Sequence, residues 1–325
     1  MPRRITGFTP SGTLHLGNYL GAIRPIVAGA DADTVVFISD LHALTLDHDP
    51  ELVRARTLEF ATLLLAAGVD PEQHLFLAQS HVPEHAELHY LLECTTGYGE
   101  AQRMIQFKQK SQRQQQVRMS LLTYPILMAA DILLYDTEEV PVGDDQNQHV
   151  ELARDVAYRF NTRYGRTFVV PRAVHPPVGA RIADLTAPDA KMSKSASGAA
   201  GSLYLTDSPD VLRRKVMRAV TDAGSEVAYD PGRQPGVANL LAILAACTGG
   251  DPVALAAGFD SYGRLKRAVA DAVVDTLSPV RKRYQELADD PEHVRRVLRA
   301  GASRAREQAA RKVRTAKQAI GLLPV

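Results

Sequence analysis

With 325 residues, of which 45% are hydrophobic and 23% charged, the chain has ordinary globular composition; this excludes a disordered, fibrous or collagen-like protein and allows about two domains. Lys and Arg number 38 against 37 Asp and Glu, a formal charge of +1, so bulk charge neither requires nor forbids a nucleic-acid partner. No window offers about 18 consecutive apolar residues and residues 1–9 lack the apolar stretch of a signal peptide, which predicts a cytoplasmic protein with no membrane partner.

In chain order, residues 4–8 read as a strand, 14–27 as a helix, 34–40 (TVVFISD) as a buried strand and 50–67 as a helix ended by Gly68. A strand at 74–80 and a helix at 83–94 follow. Cys94 and Cys247 lie far apart without CxxC spacing, so neither a zinc knuckle nor a disulfide framework can form within one chain, and both read as buried small hydrophobes. The glutamine-rich stretch 102–116 reads as a mobile connection before an apolar helix at 117–135. A strand at 139–142 and a helix at 145–160, with Val150, Ala153, Val156, Ala157 and Phe160 at helical spacing, continue the alternation, and the sheet portion closes near Asp184. Strand and helix in this cadence predict an α/β fold, a doubly wound parallel sheet.

From Asp207 onward strand signals vanish, and helices are expected at 209–220, 236–247, 259–288 and 291–320. The composition shift divides the chain into a Rossmann-type domain over 1–188 and an all-helical C-terminal domain over 189–325. The last helix belongs to the latter or packs back on the former. Between Arg281 and Lys317 twelve basic residues face five acidic ones; on its own such a run reads as a solvated helix face.

After the first strand comes TPSGTLHLGNYLG, residues 9–21. A glycine-bearing turn there puts a helix N-terminus at the carboxyl edge of the sheet, where backbone N–H groups favour phosphate. Asn18 and Tyr19 replace the Lys and Ser/Thr of a Walker A loop. Gly17 permits close approach of a flat base or ribose, and His15 and Asn18 can each donate a hydrogen bond to a phosphate oxygen. Taken alone, a histidine one turn into a helix reads as a capping or core residue. A second cluster, Lys191-Met192-Ser193-Lys194-Ser195, sits in a run of small residues. By itself it reads as a solvated loop, yet its lysines can neutralise charge growing on a leaving pyrophosphate.

Together these stretches resemble the two signatures of class I aminoacyl-tRNA synthetases. His15-Leu16-Gly17-Asn18 is similar to the HIGH motif, with Asn18 in place of the second histidine, and residues 191–195 match KMSKS at all five positions. Residues 122–133 (LTYPILMAADIL), 140–146 (VPVGDDQ), 179–182 (GARI), 229–230 and 235–240 (PGVANL) are similar to the bacterial tryptophanyl-tRNA synthetases. The resemblance runs from Gly7 to about Leu322.

The resemblance implies that ATP meets Thr9, Pro10, Ser11, Gly17, Asn18, Gly143, Asp144, Asp145, Ile182, Lys191, Met192, Ser193, Lys194 and Ser195, with His15, Asn18, Lys191 and Lys194 acting in catalysis. L-tryptophan would meet Ile5, Gly7, His42, Tyr124, Met128, Asp131, Val140, Val142 and Gln146. The family departs here at Ile5, where an aromatic is frequent, and at Thr9, where Gln is frequent; both bear on pocket shape. Tyr124, Met128 and Asp131 share one helix face, and an apolar slot with a single carboxylate suits indole and its one N–H donor. Without the resemblance Asp131 reads equally as a satisfied structural carboxylate.

The implied reaction joins L-tryptophan and ATP into an adenylate with release of pyrophosphate, then charges tRNA(Trp). Mg²⁺ would arrive with ATP, with no metal site of the protein's own, and the family implies a homodimer. Tyrosyl-tRNA synthetases share both signatures and are the alternative. A small-molecule ligase of the same superfamily and a non-catalytic RNA-binding paralogue fit less well, the first because of the basic final third, the second because His15, Lys191 and Lys194 are intact.

Overall fold

A computed structural model describes residues 2–29, 33–111, 116–143, 146–175, 182–192 and 200–324. Among the described residues five strands pair in parallel: β1 (Arg4–Phe8), β2 (Thr34–Ile38), β3 (Leu75–Ala78), β4 (Glu139–Pro141) and β5 (Arg172–Val174). Their order is β3-β2-β1-β4-β5, the arrangement of a Rossmann-type doubly wound sheet. β2 and β3 are buried at every position, as strands covered on both faces by helices must be. The order reverses between β1 and β4, which opens a crevice beyond their carboxyl ends.

The helices follow in the intervals. After β1 come α1 (Leu16–Asn18), a π-helical turn (Tyr19–Ile23) and α2 (Arg24–Ala28). The wide turn stands just ahead of Pro25, which has no N–H to return to the Gly21 carbonyl. β2 leads into α3 (Asp40–Ala43) and α4 (Pro50–Ala66). β3 leads through a 3-10 turn (Gln79–His81) into α5 (Glu84–Glu93), α6 (Tyr98–Arg103), α7 (Ile105–Ser111) and α8 (Met119–Leu133). α9 (Asn147–Tyr164) lies between β4 and β5. The rest is helical: α10 (Pro209–Met217), α11 (Pro235–Thr248), α12 (Pro252–Ala256), α13 (Tyr262–Ala288) and α14 (Pro291–Ala319).

Alternating strand residues feed two hydrophobic clusters, one on each face. Phe8, Val36, Ile38 and Phe76 join α4 and continue into α10, α11 and α13. Ile5, Val35, Phe37, Leu75 and Leu77 join α5, α8, α9 and α14. Small side chains on α14, Ala302, Ala305, Ala309 and Ala316, let it lie close to the sheet. The closest approach is at Gly301, where a Cβ would stand 1.7 Å from the Phe76 carbonyl oxygen. The last helix therefore packs back on the sheet.

Several expectations need correction. The stretch 102–116, expected as a mobile connection, is largely helical where described, ending α6 and forming α7. Glu100 accepts the Gly97 N–H at 2.8 Å to start α6, Met104 is buried, and the Ile105 N–H donates to Gln148 Oε1 on α9 at 2.8 Å. Glutamine is itself a fair helix former. β5 has no counterpart in the sequence pattern, because three residues without alternation carry no periodic signal. Cys94, read as buried, is exposed and Cys247 half-buried; Cys94 caps the C-terminus of α5 just past the buried Leu91 and Leu92.

Candidate active site

The turn after β1 is fixed from both sides. The hydroxyls of Thr9 and Ser39 are 2.9 Å apart, and the Ser39 N–H donates to the Phe8 carbonyl at 3.1 Å. Downstream, Leu16 N–H donates to Leu203 O at 2.7 Å and Leu205 N–H to Leu14 O at 3.1 Å, flanking an antiparallel bridge between His15 and Tyr204. This holds His15, which is buried, at the start of α1. Asn18 Oδ1 accepts the His15 backbone N–H at 3.1 Å, the reach-back half of a capping box. Tying the oxygen leaves the amide nitrogen as the free donor end, with no partner among the described residues. Gly17 is needed here for close approach: a Cβ would sit 3.1 Å from both Cε1 and Nδ1 of His15. Pro10 is buried and Ser11 exposed on this turn.

The second signature begins on the same edge. Lys191 pairs with Ala183 in an antiparallel bridge, and Met192 N–H donates to Ile182 O at 3.0 Å. Asn239 on α11 clamps the ladder, donating to Ala183 O at 3.0 Å and accepting its N–H at 2.8 Å. Ile182 and Met192 are buried in the core beneath, so their side chains pack, while Lys191 is exposed. The position of a Gly17 Cβ lies 3.9 Å from Ile182 Cβ; the two signature segments thus meet. Ser193, Lys194 and Ser195, like Asp144 and Asp145, lie outside the described residues. Gly143 is exposed, and its carbonyl accepts the Gln146 N–H at 2.9 Å where α9 begins.

On the neighbouring side, Gly7 is exposed on the central strand, which leaves the crevice open to the sheet. α8 is buried over most of its length, but Thr123, Tyr124 and Met128 are only partly covered, so this face forms a wall. Asp131 is buried and accepts three hydrogen bonds among the described residues: from Gln79 Nε2 at 2.7 Å and His85 at 2.6 Å on Oδ1, and from His42 at 2.9 Å on Oδ2. Burial raises the Asp131 carboxyl, but the hydrogen bonds and charges of His42 and His85 outweigh it and hold the group below the usual carboxylate range. His85 continues to the Tyr135 hydroxyl at 2.8 Å and stacks on Phe37 with centroids 5.9 Å apart.

The Tyr124 hydroxyl meets His149 Nε2 at 3.0 Å, and the Tyr124 ring stands edge-on to His42 at 6.2 Å. Burial pushes the phenols of Tyr124 and Tyr135 upward, so both stay protonated. Ile5, Val140 and Val142 are buried in the cluster below. The structure thus brings His42 against both Asp131 and Tyr124, with Met128 one turn after Tyr124 on the same helix.

Sequence reasoning missed Gln79, His85, Tyr135 and His149. A signal existed for His85, which stands four residues before His89 on one face of α5. The clefts of about 680 and 280 Å³ at the opposite edge of the sheet carry their own pairing, Arg3 with Asp33 and Lys312 with Asp136.

A family profile described as tRNA synthetases class I (W and Y) matches residues 2–278. The chain is 57% identical to tryptophan--tRNA ligase 1 of Streptomyces coelicolor, covering 100% of this chain and 98% of that protein. It is 47% identical to a tryptophan--tRNA ligase of Caldanaerobacter subterraneus, over 99% of each. Among solved structures it resembles tryptophanyl-tRNA synthetase from Mycoplasma pneumoniae, with TM-score 0.91, 34% identity, and 99% and 98% of the two chains covered. It also resembles the Campylobacter jejuni enzyme complexed with ADP and tryptophan, with TM-score 0.85, 33% identity, and 98% and 100% covered. With its sheet order and both signature segments at one crevice, the chain belongs to the class I tRNA synthetases of the tryptophan and tyrosine group.

Proposed function

We propose that this chain is a tryptophan-tRNA ligase whose residues 1–188, completed by Lys191 and Lys194, activate L-tryptophan with ATP and whose helical portion, 189–325, receives tRNA(Trp). The observation that carries the reading is the convergence of His15, Asn18 and the Lys191 ladder with the Asp131 pocket at the reversal of strand order. A carboxylate oxygen of tryptophan attacks the α-phosphorus of ATP, the bond to the β-phosphate oxygen breaks, and the electron pair leaves with pyrophosphate. Since the substrate carboxylate is already the nucleophile, the protein's work is positioning and charge stabilisation. His15 and Asn18 donate to phosphate oxygens at the helix start, Gly17 lets the nucleotide lie close, and Lys191 and Lys194 offset charge on the leaving group. A ribose hydroxyl of the tRNA terminus then attacks the carboxyl carbon and AMP departs.

Mg²⁺ would arrive with ATP, since a hard octahedral cation keeps phosphate and water ligands, and would supply further charge neutralisation. The donor set at the turn, Thr9, Ser11, His15 and Asn18, offers hydrogen bonds to phosphate and includes no carboxylate. Asp131 selects tryptophan over tyrosine: a carboxylate has about four acceptor sites, three are taken, and the open one on Oδ2 receives the indole N–H.

Tyr90, Tyr98, Ile105, Met119 and Tyr158 are exposed, one on each of α5 to α9. An apolar surface of that kind marks an interface, and a second copy of this chain is the partner it suits. No helix among the described residues is long and apolar enough to cross a membrane; we place the enzyme in the cytoplasm, with its tRNA. ATP–pyrophosphate exchange measured across the amino acids tests the assignment: exchange should depend on tryptophan, and exchange driven by tyrosine would overturn it.

A further inference from the structure

We propose that His85, backed by Tyr135, is a positioning residue that aims Asp131 at the amino acid and so sets the preference for an indole N–H. The proposal rests on the reading that Asp131 accepts that N–H. Four elements supply the arrangement: Gln79 follows β3, His85 is on α5, His42 is on α3 and Asp131 is on α8. Gln79, His85 and Tyr135 are buried, and Gln79 and His85 bond Oδ1, the oxygen opposite the one His42 meets, with Tyr135 behind His85.

The hydrogen-bond directions settle each role. The Gln79 amide oxygen accepts the Leu41 N–H at 3.2 Å, which turns its nitrogen toward Asp131 Oδ1 at 2.7 Å. His85 Nδ1 lies 2.6 Å from the same oxygen, and as that oxygen is an acceptor only, Nδ1 carries the proton. When the ring carries only that proton Nε2 is the acceptor, and the Tyr135 O–H donates to it across 2.8 Å. The phenol thereby fixes the tautomer that Asp131 needs, as outer partners orient catalytic and ligating groups elsewhere.

Both interior donors converge on Oδ1, so the carboxylate cannot rotate without breaking two buried bonds. Oδ2 faces the side from which the partly open His42 side chain approaches, and that is where an acceptor site remains. Gln79 couples the two halves, because Leu41 precedes His42 on α3.

The test compares tryptophan with its benzothiophene analogue, in which sulfur replaces the indole N–H at nearly unchanged shape. Pyrophosphate exchange by the full chain should favour tryptophan. His85→Ala should lower kcat/KM for tryptophan on the order of tenfold, mostly through KM, while sparing the analogue, so that the preference collapses. His85→Asn, whose amide nitrogen can take the place of Nδ1, should recover most of it. Tyr135→Phe keeps the packing and removes only the O–H, and should lose preference by a few-fold. Variants that retain the full wild-type preference, or that lower both substrates in parallel, would overturn the positioning role. A wild-type protein indifferent between the two substrates would instead overturn the reading of Asp131 and the proposal with it.

Discussion

His42 Nε2 lies 2.9 Å from Asp131 Oδ2, so a donor already stands on the oxygen proposed to accept the indole N–H. Because the folded state holds the Asp131 carboxyl below its ordinary range, ionised Asp131 stabilises the fold fully above the unfolded aspartate value of about 4. That contribution is lost as pH falls through the lower folded value. Asp131→Asn should cost roughly 3 kcal/mol near neutrality, since it turns an amide N–H toward buried donors. Chemical denaturation from pH 7 downward should show the gap from wild type closing in acid. A gap independent of pH would remove Asp131 from the ionised state.

Gly17 and His15 are in contact through the space a side chain would fill. Gly17→Ala should push the imidazole by a few tenths of an ångström and slow adenylate formation on the order of tenfold, since small misplacements are costly at a positioning site. KM for tryptophan and thermal stability should hardly move. Stopped-flow measurement of adenylate formation separates the two; a change confined to KM would contradict the assignment of this turn to ATP.

The chain contains no tryptophan, so red-edge excited indole emission comes from the ligand alone. Bound tryptophan should shift to the blue in a slot walled by Tyr124 and Met128, saturating at one ligand per chain. Excess tyrosine should leave the signal unchanged. Displacement by an equal concentration of tyrosine would transfer the assignment to the tyrosyl reaction.

Arg311 and Arg314 are exposed on α14, whereas the helix is held by Ala302, Ala305, Ala309, Val313 and Ala316. Replacing both arginines by alanine should therefore spare the fold and pyrophosphate exchange. If this face meets tRNA phosphates, charging should weaken and its log–log salt slope should fall by about one to two. An unchanged salt slope would place tRNA elsewhere.

Gly301→Ala should destabilise the protein by at least the roughly 1 to 3 kcal/mol of ordinary overpacking, because the obstacle is the Phe76 carbonyl and not a movable side chain. Urea denaturation would read this directly, and a stability equal to wild type would mean that α14 sits farther from β3.

How legible was this in the sequence? β1, β2 and β3 were legible because buried parallel strands are apolar runs bounded by turn residues. β5 was not, since it is held by pairing with β4 and by the Arg172–Glu139 ion pair across the strands, neither of which leaves a local pattern. The nucleotide side was readable because each signature is contiguous. The surroundings of Asp131 were hidden, since its partners stand 46, 52 and 89 residues away and no periodicity links them. The sequence left Asp131 equally a satisfied structural carboxylate; the geometry shows a group with three bonds and an acceptor site to spare.

β3 is an edge strand of the sheet, and the backbone at Phe76 is covered by a helix encoded more than two hundred residues later. During translation at about 5–20 residues per second, that strand emerges roughly 10 to 45 seconds before its cover. For that interval the nascent chain exposes an unprotected sheet edge, the feature most prone to pair with a neighbouring chain. Synthesis of this enzyme should therefore depend on whatever shields nascent chains at the ribosome, and slowing elongation ahead of α14 should reduce the yield of soluble protein.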